Sequence, residues 1–121
     1  MVVAEVVAQG DVVWVDFGEP RGSAPALRRP AVVIQHDRFN LAPGNRTVVV
    51  LPVTSNLRHA ALPGNLRLNA GEGGLSRDSV VLAGRITTVD LGHLDGLVGH
   101  LGPERMRQLG RGLALVVGVD G

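Results

Sequence analysis

Three runs of β-branched and aliphatic residues, Val12-Val13-Trp14-Val15, Ala31-Val32-Val33-Ile34 and Thr47-Val48-Val49-Val50-Leu51, are separated by stretches rich in Gly and Pro. This spacing constrains the fold more than any other feature of the chain. Such residues suit the pleated surface of a strand, and runs this short, bounded by turn formers, favour strands over helices. With two Phe, one Trp and no Tyr, the core must be built from Val and Leu. The βαβ rhythm of a parallel sheet is absent, and with it a Rossmann-type nucleotide site.

The chain is therefore expected to be α+β and mainly β: one domain over 1–121, a small, strongly twisted antiparallel sheet or partly open barrel with a C-terminal helix. Gly10 and Asp11 lead into a strand over 12–17, and Gly18, Pro20, Gly22 and Pro25 mark 18–28 as a long loop. Pro30 opens the next strand, 31–36, where a missing N–H is tolerated, and leaves Arg29 at the junction. A turn at 42–45 leads to a strand over 47–55, apolar enough to be buried on both faces until Pro52 interrupts its ladder. Thr54 and Ser55 lie where that strand leaves the core. A loop over 56–64, a half-exposed strand over 65–69, a Gly-rich turn at 71–74 and strands over 79–82 and 86–89 follow. Asp90 caps a short helical turn through 94. Pro103 opens one helix, with Met106, Leu109, Leu113 and Val117 on its apolar stripe. Gly110 and Gly112 weaken it and leave its end undefined.

Zero cysteines exclude a disulfide scaffold and every thiolate metal site. No apolar run reaches the ~18 residues needed to span a bilayer, and Glu5 stands where a secretory signal would be positive, so a soluble, cytoplasmic protein without membrane partners is expected. His36, His59, His93 and His100 lack metalloprotease spacing, and Gly71-Glu72-Gly73-Gly74 lacks the Lys and Ser/Thr of a phosphate loop. Neither metal nor cofactor is expected. All 12 basic residues are Arg, and they are unevenly placed. Residues 1–20 hold four acids and no Arg, whereas 21–77 hold eight Arg against Asp37 and Glu72, a formal +6. A polyanion would meet this middle segment. Arg-rich loops beside strand-end hydroxyls suit a phosphodiester, since guanidinium forks bind phosphate oxygens and a hydroxyl adds one donor. RNA would supply its own nucleophile, the 2′-OH. By spacing alone, the favoured reading is that Arg29 is an ordinary solvated loop residue and Thr54 a turn-forming hydroxyl.

The segments Gly10-Asp11-Val12-Val13-Trp14-Val15-Asp16-Phe17, Arg21-Gly22-Ser23 and Arg29-Pro30-Ala31-Val32-Val33 resemble the signature of the MazF/PemK toxins, endoribonucleases of type II toxin–antitoxin modules. Pro52-Val53-Thr54-Ser55 and Leu75-Ser76-Arg77-Asp78-Ser79-Val80 continue the resemblance, which covers roughly residues 9–118. It implies an SH3-like barrel with helices, a homodimer, and single-stranded RNA bound in a groove across the dimer interface. It also implies that Arg29 and Thr54 are the catalytic pair, leaving a 2′,3′-cyclic phosphate and a 5′-hydroxyl. Arg21, Ser23, Arg28, Ser55, Arg58, His59, Arg77, Asp78 and Ser79 are then the candidate substrate-binding residues around that pair. Arg is always protonated, which suits Arg29 to an electrostatic, proton-donating role and makes His59 the local candidate base. A cognate antitoxin with an acidic, flexible tail would offer carboxylates to the +6 segment.

Two places depart from the family's pattern. Ala24 stands where many members carry Glu after the Gly-Ser, and Arg28 adds a second guanidinium before the Arg-Pro. Where many members carry a basic residue beside a Thr-x-Asp, this chain reads Ile86-Thr87-Thr88-Val89-Asp90. These changes bear on which RNA sequence is chosen more than on the reaction. The rival readings are a gyrase poison of the CcdB type, whose terminal Trp-Gly-Ile is replaced here by Val119-Asp120-Gly121, and an RNA-binding module without activity.

Overall fold

The structure, a computed structural model, describes residues 7–23 and 26–119. Glu5, Ala24, Pro25, Asp120 and Gly121 lie outside the described residues. Among those described, seven strands form one antiparallel sheet: β1 (Asp11–Asp16), β2 (Arg28–Val33), β3 (Thr47–Thr54), β4 (Leu66–Leu68), β5 (Ser79–Val81), β6 (Thr87–Asp90) and β7 (Leu94–His100). The strand order is β4-β5-β3-β2-β1-β7, with β6 also paired to β3. A one-turn helix, α1 (Asp37–Asn40), follows β2, and helix α2 (Pro103–Val117) ends the fold.

The continuous apolar runs have a direct cause. Alternate side chains of a strand point to opposite faces, and here both faces of the central strands are buried. Val12, Val32 and Leu51 join Leu68, Leu101 and Leu109 in one core beneath α2. Val13, Ala31, Val33 and Val50 join Val48, Val89 and Leu94 in a second. Between β1 and β7 the register shifts twice, at Val12/Val13 and Val13/Val15, and such bulges bend and twist an edge.

β3 carries the curvature of the sheet. One of its edges pairs with β2; the other pairs with β6 from Thr47 to Val50 and with β5 from Val53 to Thr54. Pro52 falls between the two partners. The expected interruption falls there: the strand continues to Thr54, but the missing N–H lands where the outer ladder changes hands, while the Pro52 carbonyl accepts from the Leu82 N–H at 3.0 Å.

Other boundaries also differ from expectation. β2 begins at Arg28, so Arg28 and Arg29 are strand residues facing Asp16 and Val15 of β1. The loop closes one residue earlier, where the Phe17 N–H donates to Leu27 and the Leu27 N–H donates to Gly18. Leu27 is held at a φ of 61°, a left-handed conformation uncommon outside glycine. α1 was not legible in the sequence; it is capped by His36, whose Nδ1 accepts from the Arg38 N–H. The expected loop after β3 contains a 3₁₀ turn, Leu57–Ala61, capped by Asn56. β7 went unread because Gly96 and Gly99 dilute its pattern. The turn capped by Asp90 is present as Leu91–His93.

α2 runs unbroken to Val117 despite its glycines. Gly112 is required there: a Cβ on it would collide with the Gly64 carbonyl oxygen, so the missing side chain lets α2 lie against the loop before β4. A half-buried ion pair fixes the start of α2, with Arg105 Nε and Nη2 each 2.8 Å from a carboxylate oxygen of Glu72. Glu72 lies in the short turn Glu72–Gly74.

Candidate active site

The ends of the sheet, β4 and β7, do not pair with each other. Where β7 faces the segment after the Glu72–Gly74 turn, a cleft of about 650 Å³ opens. Its rim is Leu97 and Val98 on one side and Gly74, Leu75, Ser76 and Arg77 on the other. Trp14, the start of β2 and the end of β3 line it between them.

The β2–β3 register brings Arg29 and Thr54 together. Ala31 pairs with Pro52, Val32 with Leu51 and Val33 with Val50; extended two residues past its last pair, the same register sets Arg29 opposite Thr54. Both residues line the cleft. Arg29 is half-buried, and its Nε donates to the Ala26 carbonyl at 3.1 Å. That bond anchors the stem and leaves the Nη pair without a protein partner among the described residues. Thr54 Oγ1 accepts from the Asn56 N–H at 3.1 Å, so the turn that ends β3 also fixes the hydroxyl, whose own proton remains to be donated.

Arg28 is held differently. Its Nε lies 2.7 Å from Asp95 Oδ2 at the base of β7, and its guanidinium carbon sits 4.1 Å above the centroid of the Trp14 ring. The aromatic face and the carboxylate together fix its orientation. Arg77 adds a third guanidinium to the cleft, and Ser55 and Ser76 add exposed hydroxyls. Ser79 also lines it, but its buried hydroxyl donates to the Arg77 carbonyl at 2.9 Å, which shapes the turn carrying Arg77. Among its described lining residues the cleft has three Arg and no carboxylate. A site of this kind attracts anions.

Five expected site residues do not line this cleft. Arg21 lies in a separate hollow with Thr87, Thr88 and Asp90. Ser23 gives its carbonyl to the Arg85 guanidinium instead. Arg58 and His59 lie in the 3₁₀ turn that the Asn56 cap starts; the His59 carbonyl accepts from Asn65, and neither residue lines the cleft. Asp78 braces the β4–β5 connection. The Ala70 N–H at 2.8 Å and the Arg67 guanidinium at 3.0 Å hold its carboxyl below the ordinary range.

Residues 8–117 match the family described as PemK-like, MazF-like toxins of type II toxin–antitoxin systems. The chain belongs to that family. Endoribonuclease MazF6 of Mycobacterium tuberculosis is 41% identical over 112 residues, covering 93% of this chain and 97% of that one. A MazF crystal structure from Deinococcus radiodurans superposes with a TM-score of 0.78 at 24% identity, covering 94% and 98% of the two chains. A mycobacterial endoribonuclease in complex with its cognate antitoxin gives 0.72 at 18% identity, covering 96% and 97%. The mainly β, antiparallel architecture with a C-terminal helix is thus the MazF fold.

Within this MazF-family cleft, Trp14, Leu27, Ser76 and Leu97 escaped the sequence reading. Trp14 and Ser76 lie inside quoted signature segments, and Leu27 lies two residues before Arg29, so position alone could have flagged them. Leu97 could not be found without β7. It is 63% exposed, and Leu27 is 59% exposed, so the cleft has apolar walls beside its cations.

Proposed function

We propose that the protein is the toxin of a type II toxin–antitoxin module, a sequence-specific endoribonuclease that cuts single-stranded messenger RNA and so halts translation and growth. The observation that carries this reading is that Arg29 and Thr54 line one cationic cleft, with no carboxylate among its described lining residues. The family membership and the curated MazF relatives support it. In this reading the 2′-oxygen upstream of the cut bonds to phosphorus and its proton leaves to water, while the P–O5′ bond breaks and the departing 5′-oxygen takes a proton from water, giving a cyclic phosphate and a 5′-hydroxyl. The Nη pair of Arg29 holds the non-bridging oxygens and stabilises the charge that grows on them, and Thr54 donates to one of them. The reaction takes its nucleophile from the substrate, so it calls for no metal ion or cofactor.

The same cationic cleft suits the acidic tail of an antitoxin, whose carboxylates would occupy the places meant for phosphates. High salt is expected to weaken that complex. We further propose a homodimer that acts in the cytoplasm; no helix among the described residues is long and apolar enough to cross a membrane. Incubating the purified protein with a long RNA tests the main reading. Cleavage into discrete fragments is expected. Retention of RNA without cleavage would make it an inactive binding module, and trapping of gyrase on DNA would make it a gyrase poison.

A further inference from the structure

Arg28 is not built like a phosphate ligand. Its charge is matched by Asp95 at 2.7 Å, and on its far side a hollow of about 500 Å³ is lined by Asp16, Glu19 and Asp95. Arg28 lines both this acidic hollow and the cationic cleft, and so forms the wall between them. A phosphate approaching that wall meets carboxylates, whereas a neutral base meets none of that repulsion. What Arg28 still offers is direction. With Nε committed to Asp95 and the guanidinium carbon over the Trp14 ring, its two Nη groups are left as an end-on fork with no protein partner among the described residues. A fork of two parallel donors matches two adjacent acceptors on a base edge, and guanine presents such a pair, O6 and N7. Single-stranded RNA leaves that edge free.

We propose that Arg28 is a specificity-determining residue that selects guanine at a nucleotide adjoining the scissile phosphate. The inference rests on the endoribonuclease reading. Its position follows from the cleft: Arg28 and Arg29 are consecutive strand residues whose side chains leave opposite faces of β2, yet both line the same cleft, so the Arg28 fork serves a nucleotide beside the phosphate that Arg29 holds. Trp14 and Asp95 are positioning residues, because they act by orienting that fork.

The test is to map cut sites in a long RNA, then compare two short RNAs differing only in guanosine or 7-deazaguanosine beside the cut. The deaza base keeps its Watson–Crick edge and loses only the N7 acceptor. The wild-type protein should show guanine next to its cuts and lose about fivefold or more in kcat/KM on the deaza substrate. Arg28→Ala removes every donor to the base edge, so its rates on the two substrates should be equal. Asp95→Asn frees the Arg28 charge for phosphates, so its RNA affinity should rise while the guanine preference shrinks. Cuts without guanine beside them, equal wild-type rates on the two short RNAs, or an Arg28→Ala loss equal on all sequences would overturn the assignment and leave the endoribonuclease reading standing. No cleavage of any RNA by the wild-type protein would overturn both.

Discussion

In the proposed reaction, Arg29 and Thr54 divide the chemistry unequally. The Arg29 Nη pair provides two charge-assisted donors, whereas Thr54 provides one neutral donor already oriented by the Asn56 N–H. Losing a donor aimed at developing charge typically costs on the order of 10²-fold in turnover. Arg29→Ala should therefore lower kcat by about that factor or more, and Thr54→Ala by less, with RNA binding reduced less than turnover in both. Single-turnover rates beside binding isotherms check this; two variants with near wild-type rates would remove the pair from the reaction. Both residues were legible in the sequence because they sit in signature segments. His59 does not line the cleft, since Asn56 begins a 3₁₀ turn that proximity in sequence to Thr54 does not reveal.

Helix α2 sets two glycines against each other. Gly110 faces open space, whereas Gly112 lies against the Gly64 backbone. Gly110→Ala should stabilise the fold by about 0.5–1 kcal/mol, since Gly in a helix interior is entropically costly. Gly112→Ala should destabilise it by about 1–3 kcal/mol through overpacking. Denaturant unfolding of the two variants checks the contrast, and equal shifts would place α2 wrongly. At the other end of α2, the Arg105 guanidinium, followed by the Asn69 N–H, holds the Glu72 carboxyl below its ordinary value of 4.5. A depressed carboxyl contributes its stability above the unfolded pKa and loses it as pH falls through the folded value. Both side chains are 29% exposed, so Glu72→Gln should cost about 1 kcal/mol near neutral pH. That difference should narrow as the pH is taken from about 5 to about 3; melting temperatures of the two proteins across that range test it, and a constant gap would contradict it. The elements that the sequence disclosed are those with undiluted apolar runs. β7 stayed hidden because Gly99 lies against Gly73, a demand of packing that erases the local strand pattern.

At the scale of the whole molecule, function depends on a sheet that does not close. β3 hands its outer edge from β6 to β5 at Pro52, β7 ends the other side, and the cleft is the gap between them. The two buried faces were readable from Val alternation, but the gap was not, because it arises from which strands meet. The central claim is that this cleft lets RNA cut itself, and a single substrate comparison tests it most directly. An RNA of known cut site and its twin with one 2′-deoxy sugar immediately 5′ of the cut are incubated with the protein in excess EDTA. The account predicts that the all-ribose strand is cut to a 2′,3′-cyclic phosphate and a 5′-hydroxyl, and that the deoxy strand stays intact. Cleavage of the deoxy strand, or loss of all cleavage in EDTA, would contradict it.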